Sequence, residues 1–362
     1  MSDNLEPVPL RRLPAEWEKH DCVMLAWPHE HTDWNYMLDE ARDCFARIIS
    51  AIAREECVLL VGPADLCVPS VESYGFPADR VKFLDIPTND TWARDFGGIT
   101  VEVNGSLHIL DFKFNGWGLK FAANHDNLVN RRVAALATSG KPVYKACLEN
   151  RLNFVLEGGS IESDGNGTLL TTSECLLSPN RNGEFTREQV SSYLREAFGV
   201  ERVLWLDHGA LAGDDTDSHI DTLARLAPHD TIFYVGCGEE GDRNNDSLAK
   251  MREELMALRT SAGLPYNLVE LPLPDPIYDE DGLQLPATYA NFLITPRSVL
   301  LPVYNQPKKD FLAQQIMKIA FPTYDIIPID CRALIRQHGS LHCVTMQFPA
   351  GVIAGIENGK WV

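Results

Sequence analysis

The chain has 362 residues, 45% of them hydrophobic and 23% charged, a composition that supports a large buried core and excludes disordered and collagen-like classes. Its 32 basic and 51 acidic side chains leave a formal charge of −19, which disfavours nucleic acid and anionic lipid as partners and favours cations. The 9 cysteines include no C-x-x-C pair and are odd in number, so neither a disulfide framework nor a zinc ribbon is expected, and most read as small buried residues.

In chain order, the opening MSDNLEPVPLRRLPAEWEKHD lacks an apolar h-region, and no later run approaches the roughly 20 apolar residues of a bilayer span. A cytoplasmic location is therefore expected, with no membrane partner. DCVMLAWP reads as a strand, followed by a helix over 35–54 and the strand CVLLV. His29-Glu30-His31 lacks a helical spacing for zinc and reads as a surface loop. Hairpins are then predicted at 97–112, 158–172, 220–235 and 291–304, from alternating apolar runs broken by turn residues such as Asn104-Gly105. Amphipathic helices are predicted near 125–138, 186–198, 246–261 and 308–320, with Thr186 opening a capping box and Asp246 as a second cap. Strands follow three of them in ERVLWL, YNLVEL and TYDIIPI. Gly236-Cys237-Gly238-Glu239-Glu240-Gly241 fits a dinucleotide fingerprint in letters only, because its acids would face the pyrophosphate, and it reads as a turn.

A fifth hairpin needs the last strand, HCVTMQFP, to pair with the first. A hairpin, helix and strand unit would then repeat five times around an axis, giving one closed α/β domain over 1–362; a doubly wound parallel sheet would not contain the hairpins. Polar residues precede each hairpin at similar intervals, roughly fifty to seventy residues apart: Asp95, Glu157, His219, a point near Tyr289 to Asn291, and Cys343. Equivalent strand ends meet near the axis of such a ring, so these side chains should converge on one pit. His219-Ile220-Asp221, read as a strand, would point a base and a carboxylate to the same face, and Cys343 would supply a nucleophile that such a histidine can serve.

The ordered motifs Asn89-Asp90-Thr91-Trp92-Ala93-Arg94-Asp95, Leu156-Glu157-Gly158-Gly159, Thr171-Thr172-Ser173-Glu174-Cys175-Leu176-Leu177, His219-Ile220-Asp221 and Gly339-Ser340-Leu341-His342-Cys343 resemble the agmatine deiminases of the guanidino-group-modifying, or pentein, superfamily. The resemblance runs from Arg12 to the end of the chain and implies a five-bladed α/β propeller around a central pit. It implies Cys343 as nucleophile, His219 as general acid and base, Asp95 and Asp221 as guanidinium ligands, and Glu157 as the group orienting substrate and His219. It further implies hydrolysis of agmatine to N-carbamoylputrescine and ammonia, a step towards putrescine, with no cofactor and no metal.

Agmatine ends in an amine, so its far end calls for an acid or an aromatic face. Trp92 and Asp215 are the candidates, with Asp90 and Trp117 as further ones. Segments flanking the pocket, Thr216-Asp217-Ser218 and His338-Gly339-Ser340, depart from the commonest family wording. Two other activities are weighed: a peptidyl-arginine deiminase or other guanidine hydrolase of the same superfamily, and a metal-dependent hydrolase built from Asp214, Asp215, Asp217, His219 and Asp221. A small cationic guanidino compound is the expected partner, and a homo-oligomer is compatible with the sequence.

Overall fold

The structure, a computed structural model, describes residues 10–138 and 140–362, so the opening MSDNLEPVP lies outside the described residues. Among those described, no helix is long and apolar enough to cross a membrane.

The same unit recurs five times: an antiparallel hairpin, then a helix that carries the chain back, then a strand parallel to the second hairpin strand. One unit pairs Ile99–Val103 with Ser106–Lys113 and adds Cys147–Val155. The next pairs Ile161–Ser163 with Thr168–Thr172 and adds Arg202–Leu206. Two more are built on Ala224–Ala227, Thr231–Val235 and Asn267–Leu271, and on Leu293–Ile294, Ser298–Val303 and Asp325–Asp330. In the fifth, Met346–Pro349 pairs antiparallel with His20–Ala26, and Cys57–Gly62 lies parallel on its other side, so the two ends of the chain share one sheet. This is the pentein α/β arrangement expected above.

Local chemistry explains the elements. Asn104 and Gly105 both adopt positive φ, the twist-matched two-residue turn that joins Ile99–Val103 to Ser106–Lys113. The helix Arg187–Phe198 opens with the Thr186/Gln189 capping box and ends at Gly199, whose φ of 68° is the left-handed stop. It buries Val190, Leu194, Ala197 and Phe198 on one face.

Several sequence-based boundaries differ. The helix expected near 125–138 is a single turn, Asp126–Leu128, followed by Val129–Ala135, because Leu136 is extended and leads into a short strand pair. The helix expected at 246–261 runs Asn245–Ala257; Asp246 lies inside its first turn, and the preceding Asn244 spends its side chain on the backbone N–H of Ala212. The hairpin expected to begin at 220 begins at Ala224, since Ile220–Thr222 forms a 3-10 turn in which the Thr222 hydroxyl donates to the His219 carbonyl. The loop expected at His29-Glu30-His31 is present with Glu30 and His31 exposed, but His29 turns inward, buried and bonded to Thr88 Oγ1 at 3.1 Å. Cys147 and Cys237 are exposed; the other seven cysteines are buried.

Arg225 staples several units together. It is fully buried, with Nε 2.5 Å from Glu162 Oε1 and Nη2 2.8 Å from Glu16 Oε2, and it also donates to the carbonyls of Ala290 and Phe292. Removing one partner of such a network strands the rest in a low dielectric. Arg225→Leu should therefore lower unfolding stability by about 3–5 kcal/mol, seen as a fall in the urea midpoint; a change below about 1 kcal/mol would mean the carboxylates need no charged partner.

Candidate active site

The loops that precede the hairpins bring the spaced polar residues together. Asp95 lies in the short helix Ala93–Phe96 and is held by two donors: Gly159 N–H reaches Oδ1 at 3.0 Å and Trp117 Nε1–H reaches Oδ2 at 2.9 Å. Trp117 can reach it because Gly116, Trp117 and Gly118 all adopt positive φ, which turns the indole inward. His219 Nδ1 lies 3.6 Å from Asp95 Oδ1. Asp221 Oδ2 accepts from His342 Nδ1 at 2.7 Å and lies 3.9 Å from Cys343 Sγ. The meeting point is visible at Gly159: a Cβ there would lie 2.7 Å from His219 Nδ1, 2.9 Å from Asp95 Oδ1 and 3.1 Å from Asp221 Oδ2.

His219 and Asp221 do converge, but not as neighbours on a strand. His219 stands just ahead of the 3-10 turn Ile220–Thr222, and the two residues before it, Asp217 and Ser218, both take φ of 63° without being glycine. Side chains hold that loop. Asp214 accepts from Thr216 Oγ1 and Ser218 N–H, while Arg181 donates to the Thr216 carbonyl and to Asp217. Arg181 also donates through Nε to Glu157 Oε1 at 2.8 Å, so one buried guanidinium fixes both Glu157 and the approach to His219.

A cavity of about 170 Å³ opens onto Cys343 and Asp95. Trp92, Trp117, Asp90 and Asp215, the four residues expected to bind substrate, all line it, and exposed Asp33 and His31 mark its mouth. Trp92 is seated against Trp34 and over Gly339, where any Cβ would meet its ring at 2.1 Å. The five residues of the metal-hydrolase alternative are not brought to one place: Asp214 is bound to the loop 216–218, Asp217 to Lys120 and Arg181, and Asp221 to His342. Among the described residues Glu157, Cys175 and His219 are close enough to share a cation, all three ligand atoms lying within 4.8 Å, but Arg181 already supplies positive charge to Glu157.

Burial sets the electrostatics. It pushes the Cys343 thiol well above its usual value, and the nearby Asp221 and Asp95 add to the effect. Burial likewise raises Asp95 to about 6, with Asp221 and Glu157 adding to it against His219 and Trp117. Asp221 goes the other way: burial alone would raise it, but the hydrogen bond and charge of His342, with His219 and Arg225, hold it below the ordinary carboxylate value. Burial opposes the charged form of His219, yet Asp95, Cys175 and Glu157 outweigh that penalty and raise it well above the usual histidine value. In the cavity wall, Asp90 is raised to about 7 by burial and by Asp33, and Asp215 to about 6, chiefly by burial.

A thiol and a carboxylate at the end of an acidic cavity, with an imidazole and a second carboxylate packed against them outside its lining, suit a planar cation. Residues 12–349 match the family of Porphyromonas-type peptidyl-arginine deiminases. The chain belongs to this family. An agmatine deiminase of Stutzerimonas stutzeri is 30% identical over 93% of this chain and 95% of its own length. A crystal structure from Porphyromonas gingivalis, provisionally assigned as an arginine deiminase, is 49% identical with a TM-score of 0.86, covering 95% of this chain and 99% of that one. The structure of a cysteine-to-serine variant of C. jejuni agmatine deiminase with substrate bound is 38% identical with a TM-score of 0.87, covering 95% of this chain and 98% of that one.

Relative to the residues expected from sequence, the cluster contains four more. Asn291 Oδ1 accepts from the backbone N–H of His342 and of Cys343 and lies 3.3 Å from Cys343 Sγ. The interval between repeats points to 289–291, though not to which side chain. Arg181, Cys175 and His342 have no repeat position to mark them. Gly159→Ala should place a methyl group among Asp95, His219 and Asp221 and lower kcat/KM for a guanidine substrate by about 100-fold or more. A Cβ at those distances also overpacks the buried cluster, so the thermal midpoint should fall as well; full activity would mean the three groups do not share a ligand.

Proposed function

We propose that this chain hydrolyses agmatine to N-carbamoylputrescine and ammonia, a step from arginine towards putrescine. In this reading the guanidinium enters as a fork of N–H donors that Asp95 and Asp221 accept from two sides, which fixes its central carbon near Cys343 Sγ. With the guanidinium bound the Cys343 thiol gives its proton to solvent, the thiolate attacks that carbon, a C–N bond breaks, and the departing nitrogen leaves as ammonia after protonation by His219. Water then attacks the amidino-thioether, giving its proton to His219, and the C–S bond breaks to release the ureido product and regenerate the thiol. Glu157, held by Arg181, orients His219 and the substrate.

The observation that carries the choice of agmatine is the character of the cavity beyond the reacting end: Asp33, Asp90 and Asp215 line it together with the faces of Trp92 and Trp117. These groups suit a terminal ammonium and oppose the α-carboxylate of free arginine. The agmatine deiminases among the relatives support the same substrate.

Ammonia release from agmatine, arginine and a blocked arginyl peptide, measured with excess chelator on wild type and Cys343→Ala, tests this. Turnover of agmatine above the others, indifferent to chelator and lost in the variant, is expected. Chelator-sensitive turnover that survives the substitution would refute the thiol mechanism, and preferred turnover of the peptide would refute the substrate.

A further inference from the structure

A second cavity of about 470 Å³, larger than the one that opens onto Cys343, lies behind the catalytic layer. Chain neighbours of the site residues contribute to its wall: Arg94 beside Asp95, Gly158 beside Glu157, and His342 beside Cys343. Its volume is in the range of small-molecule sites.

The charges that line it are unevenly satisfied. Each of its carboxylates already has a cation: Glu16 binds Arg225 and His342, Glu162 binds Arg225, and Glu18 and Glu102 bind Arg12. Arg94 is not matched in this way. It is only 5% exposed, yet among the described residues Nε reaches no more than the His342 carbonyl at 3.4 Å, Nη1 reaches only the Met346 sulfur at 3.8 Å, and Nη2 has no hydrogen-bond partner. Its nearest carboxylate, Glu16, is 3.9 Å away and committed elsewhere. A guanidinium has five N–H donors, and a buried one without an anion is costly. Thr100 Oγ1, from a residue lining the same cavity, is also buried without a partner among the described residues, and its hydroxyl can donate. Exposed Lys19 adds a second cation to the lining.

We propose that this rear cavity is a binding site for a small carboxylate, with Arg94 as the guanidinium that receives it and the Thr100 hydroxyl as its neutral hydrogen-bond donor. A carboxylate supplies two parallel acceptors for the Arg94 fork, and a second carboxylate on the same molecule can meet Lys19. The cavity over Cys343 cannot substitute for it, because Asp33, Asp90 and Asp215 would repel the same anion.

Calorimetric titration of the full chain with succinate, with and without an unreactive guanidine that fills the cavity over Cys343, tests the assignment. Saturable succinate binding is expected, unchanged by the guanidine. Arg94→Lys and Thr100→Val should each weaken it by about tenfold. If Arg94→Lys does not fold, Thr100→Val carries the test, with retained agmatine turnover as evidence that it is folded. No saturable binding, binding indifferent to these substitutions, or binding displaced by the guanidine would each overturn the proposal.

Discussion

The arrangement depends on keeping one fully buried carboxylate, Asp221, ionised next to a thiol. Its support is a line of alternating acidic and basic side chains that runs away from the pit: Asp221 to His342 at 2.7 Å, His342 to Glu16 at 2.7 Å, Glu16 to Arg225 at 2.8 Å, and Arg225 to Glu162 at 2.5 Å. No member could be buried alone without a large desolvation penalty, and removing one exposes the others to it. These contacts join the N-terminal segment, two hairpins and the loop that carries Cys343. The same interactions that hold the units in register therefore set the position of the reacting groups.

That support has an electrostatic consequence at Cys343. Its sulfur is buried beside Asp221 and Asp95, so a thiolate there would have to overcome both desolvation and repulsion. A guanidinium held between the two carboxylates would relieve the repulsion. Asp95, raised to about 6, would become a better acceptor for that cation as pH rises through this value. Ionisation of Asp95 and ionisation of Cys343 are thus opposed in the empty site and reconciled by the same cation.

Much of this was legible in the sequence because a repeated unit leaves repeated marks. Turn residues between alternating runs expose the hairpins, and a shared position before them singles out Asp95, Glu157, His219 and Cys343. The supporting residues leave no such marks. Glu16 meets His342 across 326 positions, and Arg181 reaches Glu157 and Asp217 from a loop after its own hairpin. Pairings between units depend on how neighbouring units pack, and local pattern does not encode them. His219-Ile220-Asp221 reads wrongly as a strand because alternation over three residues also fits a tight turn, and nothing in Asp217-Ser218 announces two consecutive left-handed residues held by Asp214 and Arg181.

In this picture the proposed nucleophile, Cys343, stays a thiol until a guanidinium arrives. Thiolate absorbance of wild type minus Cys343→Ala, followed against pH with and without an unreactive guanidine analogue of agmatine, measures this directly. The Cys343 thiolate in the free protein is expected to form only above the ordinary cysteine value, and the bound analogue to move its appearance to lower pH. The same titration with and without the analogue, or a thiolate already present at neutral pH in the free protein, would contradict it.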